Sequence, residues 1–192
     1  MIRRHLTSAL VLLLLAACAS RPVALVALPA PQRAVPLEDG TGSGATVLLR
    51  RVMLPGYLDN YPVVIGRENG VVVVSKDSEW AERLSDAVGR VLNDALSRRL
   101  GPSRVLTRGD GRTPDADLTV DFLLLDPQHE TLRLDARWTY LCRNRVSRSG
   151  RTALQVPLTD ATASAVAMAT TAALEDIASE LAERLDCTPS QS

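Results

Sequence analysis

Residues 131–141 read Thr131-Leu132-Arg133-Leu134-Asp135-Ala136-Arg137-Trp138-Thr139-Tyr140-Leu141. Leu132, Leu134, Ala136, Trp138 and Tyr140 share one side of a two-residue period. Arg133, Asp135, Arg137 and Thr139 share the other, so the run is a strand with one buried and one wet face. Just upstream, Leu118 to Leu125 forms a second strand that ends at an Asp126-Pro127 turn. Downstream, Leu154 to Leu158 adds another, followed by a helix from Thr162 to Leu185 with Val166, Leu174, Ile177, Leu181 and Leu185 on one side. Nearer the N-terminus, Thr46 to Leu54 is a β-rich run closed by Pro55-Gly56. Val63-Val64-Ile65 and Val71 to Val74 flank Glu68-Asn69-Gly70, and Asn-Gly is the strongest short hairpin signal. Asp77 or Ser78 is expected to cap a helix carrying Glu79 and Glu82 in its first turn. Trp80, Leu84, Val88, Val91, Leu92, Ala95 and Leu96 recur at helical spacing until Gly101-Pro102 stops the helix; Val105 to Thr107 is a short strand. The expectation is one α/β (α+β) domain, a mixed sheet of about five to six strands packed by two long amphipathic helices.

Composition narrows the function classes. The chain has 192 residues, 46% hydrophobic and 23% charged, the balance of a folded protein. Basic and acidic residues both number 22, which argues against a dedicated nucleic-acid binder. Of the basic residues, 21 are arginine and only Lys76 is lysine. Arginine suits bidentate anion recognition, but biased codon usage is the favoured account of the count. Aromatics are 3%, too few for stacking platforms.

The N-terminus sets the compartment. Arg3 and Arg4 precede an apolar run from Leu6 to Ala17 that is too short to span a membrane and reads as a signal peptide. Leu15-Ala16-Ala17-Cys18 matches the bacterial lipobox, in which the cysteine thiol accepts diacylglycerol and becomes the first mature residue. Ala19 follows it, which under the enterobacterial sorting rule favours the outer membrane. Removal of residues 1–17 takes two arginines and no acid, leaving 20 basic against 22 acidic groups. Residues 18–44, rich in Pro, Gly and Ala, read as a tether, with Val23 to Leu28 apolar enough to add an edge strand. As a coil it would span about 30 Å, and fully extended about 85 Å. The domain then occupies 45–187 and residues 188–192 form a tail. With Cys18 committed to lipid, Cys142 and Cys187 remain as a pair for a periplasmic disulfide. Such a bridge stabilises by about 4 kcal/mol in the chain-entropy picture.

No catalytic, metal or cofactor constellation is legible. Gly109-Asp110-Gly111 is a turn rather than a phosphate loop, and no Gly-x-Ser-x-Gly elbow occurs. His129, in a turn between two strands, is the one mature histidine and reads as solvated rather than as a catalytic base. Arg143, Arg145, Arg148 and Arg151 cluster with Ser147, Ser149 and Gly150. They are either a solvated hairpin loop or an anion and lipid-headgroup contact.

Five features together resemble the ABC-type transport auxiliary lipoprotein family, the lipoprotein partners of MCE-type intermembrane lipid transporters. They are the Cys18 lipobox; Val52-Met53-Leu54-Pro55-Gly56-Tyr57-Leu58-Asp59; the short hairpin; Glu79-Trp80-Ala81-Glu82-Arg83-Leu84; and the strand pair ending near Trp138. The chain departs from the family pattern after Cys18, where Ala24-Leu25-Val26-Ala27-Leu28 replaces an aromatic segment. The resemblance implies an α/β sandwich anchored on the periplasmic face of the outer membrane. Its implied partners are an MCE-domain protein and inner-membrane ABC transporter or permease subunits, with phospholipid as cargo and a homo-oligomer as an assembly form. Pro55, Tyr57, Leu58 and Asp59 have two readings, a turn that covers the core or an exposed partner interface. A structural lipoprotein assisting outer-membrane assembly is the alternative role. Cys18→Ser is expected to leave the protein unacylated and to release it from the membrane fraction on cell fractionation.

Overall fold

In the computed structural model the described residues are 22–32, 44–143, 147–185 and 187. The elements are β1 (Ala24–Val26), β2 (Val47–Met53), β3 (Pro62–Glu68), β4 (Val71–Trp80), α1 (Leu84–Leu100), β5 (Val105–Leu106), β6 (Ala116–Pro127), β7 (Thr131–Cys142), β8 (Ser147–Pro157) and α2 (Ala163–Arg184). A five-stranded sheet runs β5-β2-β6-β7-β8. β6, β7 and β8 form an antiparallel meander, and β2 pairs in parallel with both β6 and β5, so the sheet is mixed.

The alternation of the sequence holds along β7, where every second residue from Leu132 to Cys142 is buried. Ala116, Leu118, Val120 and Phe122 of β6 are buried with them. A bulge between Phe122 and Leu124 then changes the phase of β6, which leaves Leu123 exposed and Leu125 buried. α1 lies against β2 and β5, α2 against β7 and β8, and the helices touch each other. The fold is therefore α+β in a single domain, with two helices among the described residues.

Three features differ from the sequence expectation. First, Asp77, Ser78, Glu79 and Trp80 belong to β4, and α1 begins only at Leu84. Residues Ser78 to Trp80 pair in parallel with Ala24 to Val26 of β1. The Trp80 N–H donates to the Tyr61 carbonyl at 2.7 Å and the Ala81 N–H to the Val26 carbonyl at 2.8 Å. These distant partners outweigh the local capping and periodicity signals, which are worth about 1 kcal/mol or less per residue. Second, the β3–β4 hairpin does not enter the mixed sheet. It forms a separate three-stranded sheet in the order β1-β4-β3. Asn69 (φ 48°) and Gly70 (φ 82°) supply the two positive φ angles that a two-residue hairpin turn requires. Third, β8 begins at Ser147, well before the expected Leu154.

Part of the segment expected as a tether lies on the domain. Beyond β1, Leu28 is buried, the Pro29 carbonyl accepts the Thr171 hydroxyl at 3.2 Å, and the Gln32 N–H donates to Glu175 Oε1 at 2.6 Å. Only Cys18 to Ala24 then separates the lipobox cysteine from folded structure, a reach of about 20 Å when extended. Cys18 itself lies outside the described residues. At the other end of the chain the Cys142 and Cys187 sulfurs are 2.05 Å apart with Cα atoms at 5.7 Å, a disulfide joining the end of β7 to the chain beyond α2.

Gly150 on β8 shows how tightly the buried face is filled. It pairs with Trp138, and a Cβ placed on it would lie 2.4 Å from Trp138 Cζ2. The indole N–H donates to the Thr152 hydroxyl at 3.2 Å, which fixes the ring over the glycine. Gly150→Ala is accordingly expected to destabilise by about 1–3 kcal/mol through overpacking. Gly66→Ala, whose Cβ meets nothing within 4 Å, serves as the near-neutral control in the same denaturant titration.

Candidate docking surface around Tyr57

The loop from β2 to β3 carries the Pro55-Gly56-Tyr57-Leu58-Asp59 segment. A turn closes it, with the Leu58 N–H donating to the Pro55 carbonyl at 2.9 Å. The side chains then take different roles. Leu58 is 3% exposed and belongs to the core. Asp59 caps α1 from outside the helix. Its Oδ1 accepts the Ser85 N–H at 3.1 Å, and Arg83, the N-cap residue, makes no side-chain cap of its own. Arg83 instead closes on Asp59 Oδ2 at 3.5 Å, which holds the carboxylate over the helix end. Tyr57 is left 38% exposed.

The Arg67 guanidinium lies over the Tyr57 ring at 5.3 Å and bonds Asp126 Oδ1 through Nε at 3.3 Å. Asp126 is buried, and its other oxygen accepts Gln128 Nε2 at 3.3 Å. Removal of such a carboxylate from water demands partners of this kind. Arg67, Asp126, Gln128 and His129 line a cleft of about 450 Å³ between the β3–β4 hairpin and the β6–β7 turn. Tyr61, Val71 and Val74 are exposed on the same hairpin region. Val71 and Val74 lie three positions apart on β4 and so on opposite faces of the hairpin. This leaves the surface at Tyr57 and Tyr61 aromatic with one anchored cation, a composition suited to protein contact. Sequence reasoning missed the Arg67–Asp126 pair because its members are 59 positions apart and Asp126 reads locally as a turn residue.

The structure parts two of the four arginines of residues 143–151, Arg148 and Arg151. Arg145 lies outside the described residues, and Arg143 sits in a turn whose N–H donates to the Asp115 carbonyl at 2.9 Å. Arg148 and Arg151 are on β8, three positions apart on a two-residue period, and so face opposite sides of the sheet. Arg151 is committed to Asp135 of the neighbouring strand, with Nε–Oδ1 at 2.7 Å and a second bond from Nη2. That pair holds the Asp135 carboxyl below the usual carboxylate range. Among the described residues no His, Cys, Asp and Glu group could hold a metal ion, and no helix is long and apolar enough to cross a membrane.

The loop therefore divides into a part that holds the fold and a part that faces outward. Asp59→Ala is expected to cost about 0.5–2 kcal/mol as a lost cap. Tyr57→Ala is expected to cost about 1 kcal/mol at most, since an exposed cation–π contact is worth no more. Chemical unfolding of the two variants beside the parent distinguishes them.

Comparison with known proteins places this geometry in context. A family model described as an ABC-type transport auxiliary lipoprotein component matches residues 27–182. No curated protein matches the chain. Among solved structures, an uncharacterized protein aligns with a TM-score of 0.70 at 15% identity, covering 86% of this chain and 100% of that one. A protein from Xanthomonas campestris aligns with a TM-score of 0.57 at 16% identity, covering 82% of this chain and 90% of that one. At these identities the likeness is one of fold.

Proposed function

The chain belongs to the ABC-type transport auxiliary lipoprotein family, and from that premise we propose that it is the outer-membrane-anchored periplasmic subunit of an MCE- and ABC-type intermembrane phospholipid transport system. In this role it docks the MCE-domain protein, supports assembly with the inner-membrane transporter or permease subunits, and binds rather than catalyses. The observation that carries the reading is the family match, which runs from residue 27 to residue 182 and so takes in β2 to β8, α1 and most of α2.

Two further features support it. The lipobox cysteine precedes β1 by a reach of about 20 Å, so acylation of Cys18 holds the domain beside the bilayer rather than far from it. At the β2–β3 loop, Tyr57 is exposed and held in place by Arg67, as an interface anchor needs to be.

The test is purification from native membranes through a tag at Ser192, with the accompanying proteins identified by mass spectrometry. An MCE-domain protein is expected with the parent chain, and at least tenfold less of it with Tyr57→Ala at equal chain recovery. Recovery of barrel-assembly or lipopolysaccharide machinery instead replaces transport with the alternative, a structural lipoprotein of outer-membrane assembly.

A further inference from the structure

We infer that the cleft between β2, β5 and the first half of α1 is a binding site for a phosphate-ester anion. The cleft has a volume of about 520 Å³, within the range of small-molecule sites. Arg50, Arg51, Arg90 and Arg108 line it, and Asp86 is the single acidic residue among its walls. Its floor is apolar: Leu106 is buried, and Leu49 and Val52 are partly so.

The arginines are placed by a defect in the strand. The pairing of β2 with β6 shifts between Leu49 and Arg51, so Arg50 is the extra residue of a bulge. A regular strand would send two successive side chains to opposite faces, yet Arg50 and Arg51 are both exposed. Arg108, just beyond β5, donates from Nη2 to the Arg50 carbonyl at 2.8 Å. That bond ties a third guanidinium to the same wall.

These cations are only partly neutralised. Arg50 bonds Asp117 Oδ1 through Nε at 2.8 Å, and Arg90 reaches Glu82 Oε1 at 2.5 Å and the Leu28 carbonyl at 3.4 Å. A guanidinium has five N–H donors, and these contacts use one on Arg50 and one on Arg108. Arg51 makes no ion pair or side-chain hydrogen bond among the described residues. Planar forks beside an apolar floor suit an anion with several oxygens joined to an organic group, which is the chemistry of a phosphate ester.

Gly89 of α1 is the independent sign that the space is used. A Cβ there would meet Val52 Cγ2 at 3.8 Å, an ordinary contact, so neither packing nor backbone geometry requires glycine. Glycine inside a helix costs about 0.5–1 kcal/mol relative to alanine. The missing side chain keeps the cleft open. The contrast with the Arg67 cleft is electrostatic, because there the arginine is matched by buried Asp126 and Glu68 lines the wall.

The site stands on its own geometry, independent of the transport role. A phospholipid headgroup and free phosphate share the phosphoryl oxygens that the guanidinium forks bind, and only the headgroup adds the organic group that meets the apolar floor. The test is titration calorimetry on the full-length acylated protein in dodecyl maltoside at low salt. The two probes are glycerophosphoglycerol, the deacylated headgroup of phosphatidylglycerol, and inorganic phosphate. At least one is expected to bind, and Arg51→Ala and Gly89→Leu are each expected to weaken it at least tenfold. Gly89→Leu fills the cleft without changing charge, and Arg51→Ala alters an exposed residue, so a thermal midpoint near that of the parent accompanies both losses. Binding of glycerophosphoglycerol alone identifies the headgroup as the source, whereas binding of inorganic phosphate identifies a soluble phosphate. Absence of binding by both probes, or affinities unchanged in both variants, overturns the site.

Discussion

The inward face of β7 organises the domain, because three alternate residues near its end each fix a different element. Trp138 lies against Gly150 and bonds Thr152, which sets the register and the close approach of β8. Tyr140, fully buried, donates its hydroxyl to the Leu181 carbonyl at 3.0 Å and so fastens α2 to the sheet. Burial pushes that hydroxyl far above the ordinary phenol range, so it stays a donor throughout the physiological range. Cys142 then joins the chain beyond α2 through its disulfide to Cys187. A two-residue period directs all three to the same side, so a one-residue slip would break three connections at once.

The second sheet is assembled from parts with little local claim to one another. β1 has three residues and pairs in parallel with the last three of β4, a contact between positions more than fifty residues apart. It nevertheless decides where α1 starts. It also commits the chain that follows β1 to the surface of α2, where Pro29 and Gln32 bond Thr171 and Glu175. Part of a composition that reads as a free linker thus becomes part of the domain, and the stretch between Cys18 and folded structure shortens from about 85 Å to about 20 Å at full extension.

Both surfaces assigned a role border the same end of α1. Asp59, below Tyr57, caps that helix through Ser85, and Ser85 also lines the arginine cleft. The carboxylate occupies the helix N-terminus, so the anion site draws on side-chain guanidinium groups rather than on the helix dipole. The proposed docking loop and the proposed anion site thus meet at one rigid helix end, which holds them at a fixed separation.

The strands β2, β6 and β7, the hairpin turn, the stop at Gly101 and the extent of α2 were legible in the sequence. Each rests on a local period or on a backbone angle that few residues adopt. So was the pairing of Cys142 with Cys187 once Cys18 was set aside. The end of β4 was not legible, because its parallel partner lies far away and its own residues carry helix-start signals. The arginines illustrate both sides of the divide. Arg148 and Arg151, only three positions apart in sequence, are parted by the strand period, whereas Arg51, Arg90 and Arg108 are brought to one cleft by a bulge, a helix and a sheet edge. Period and motif are properties of neighbouring residues and can be read directly; convergence depends on which strands pair, and only the folded chain decides that.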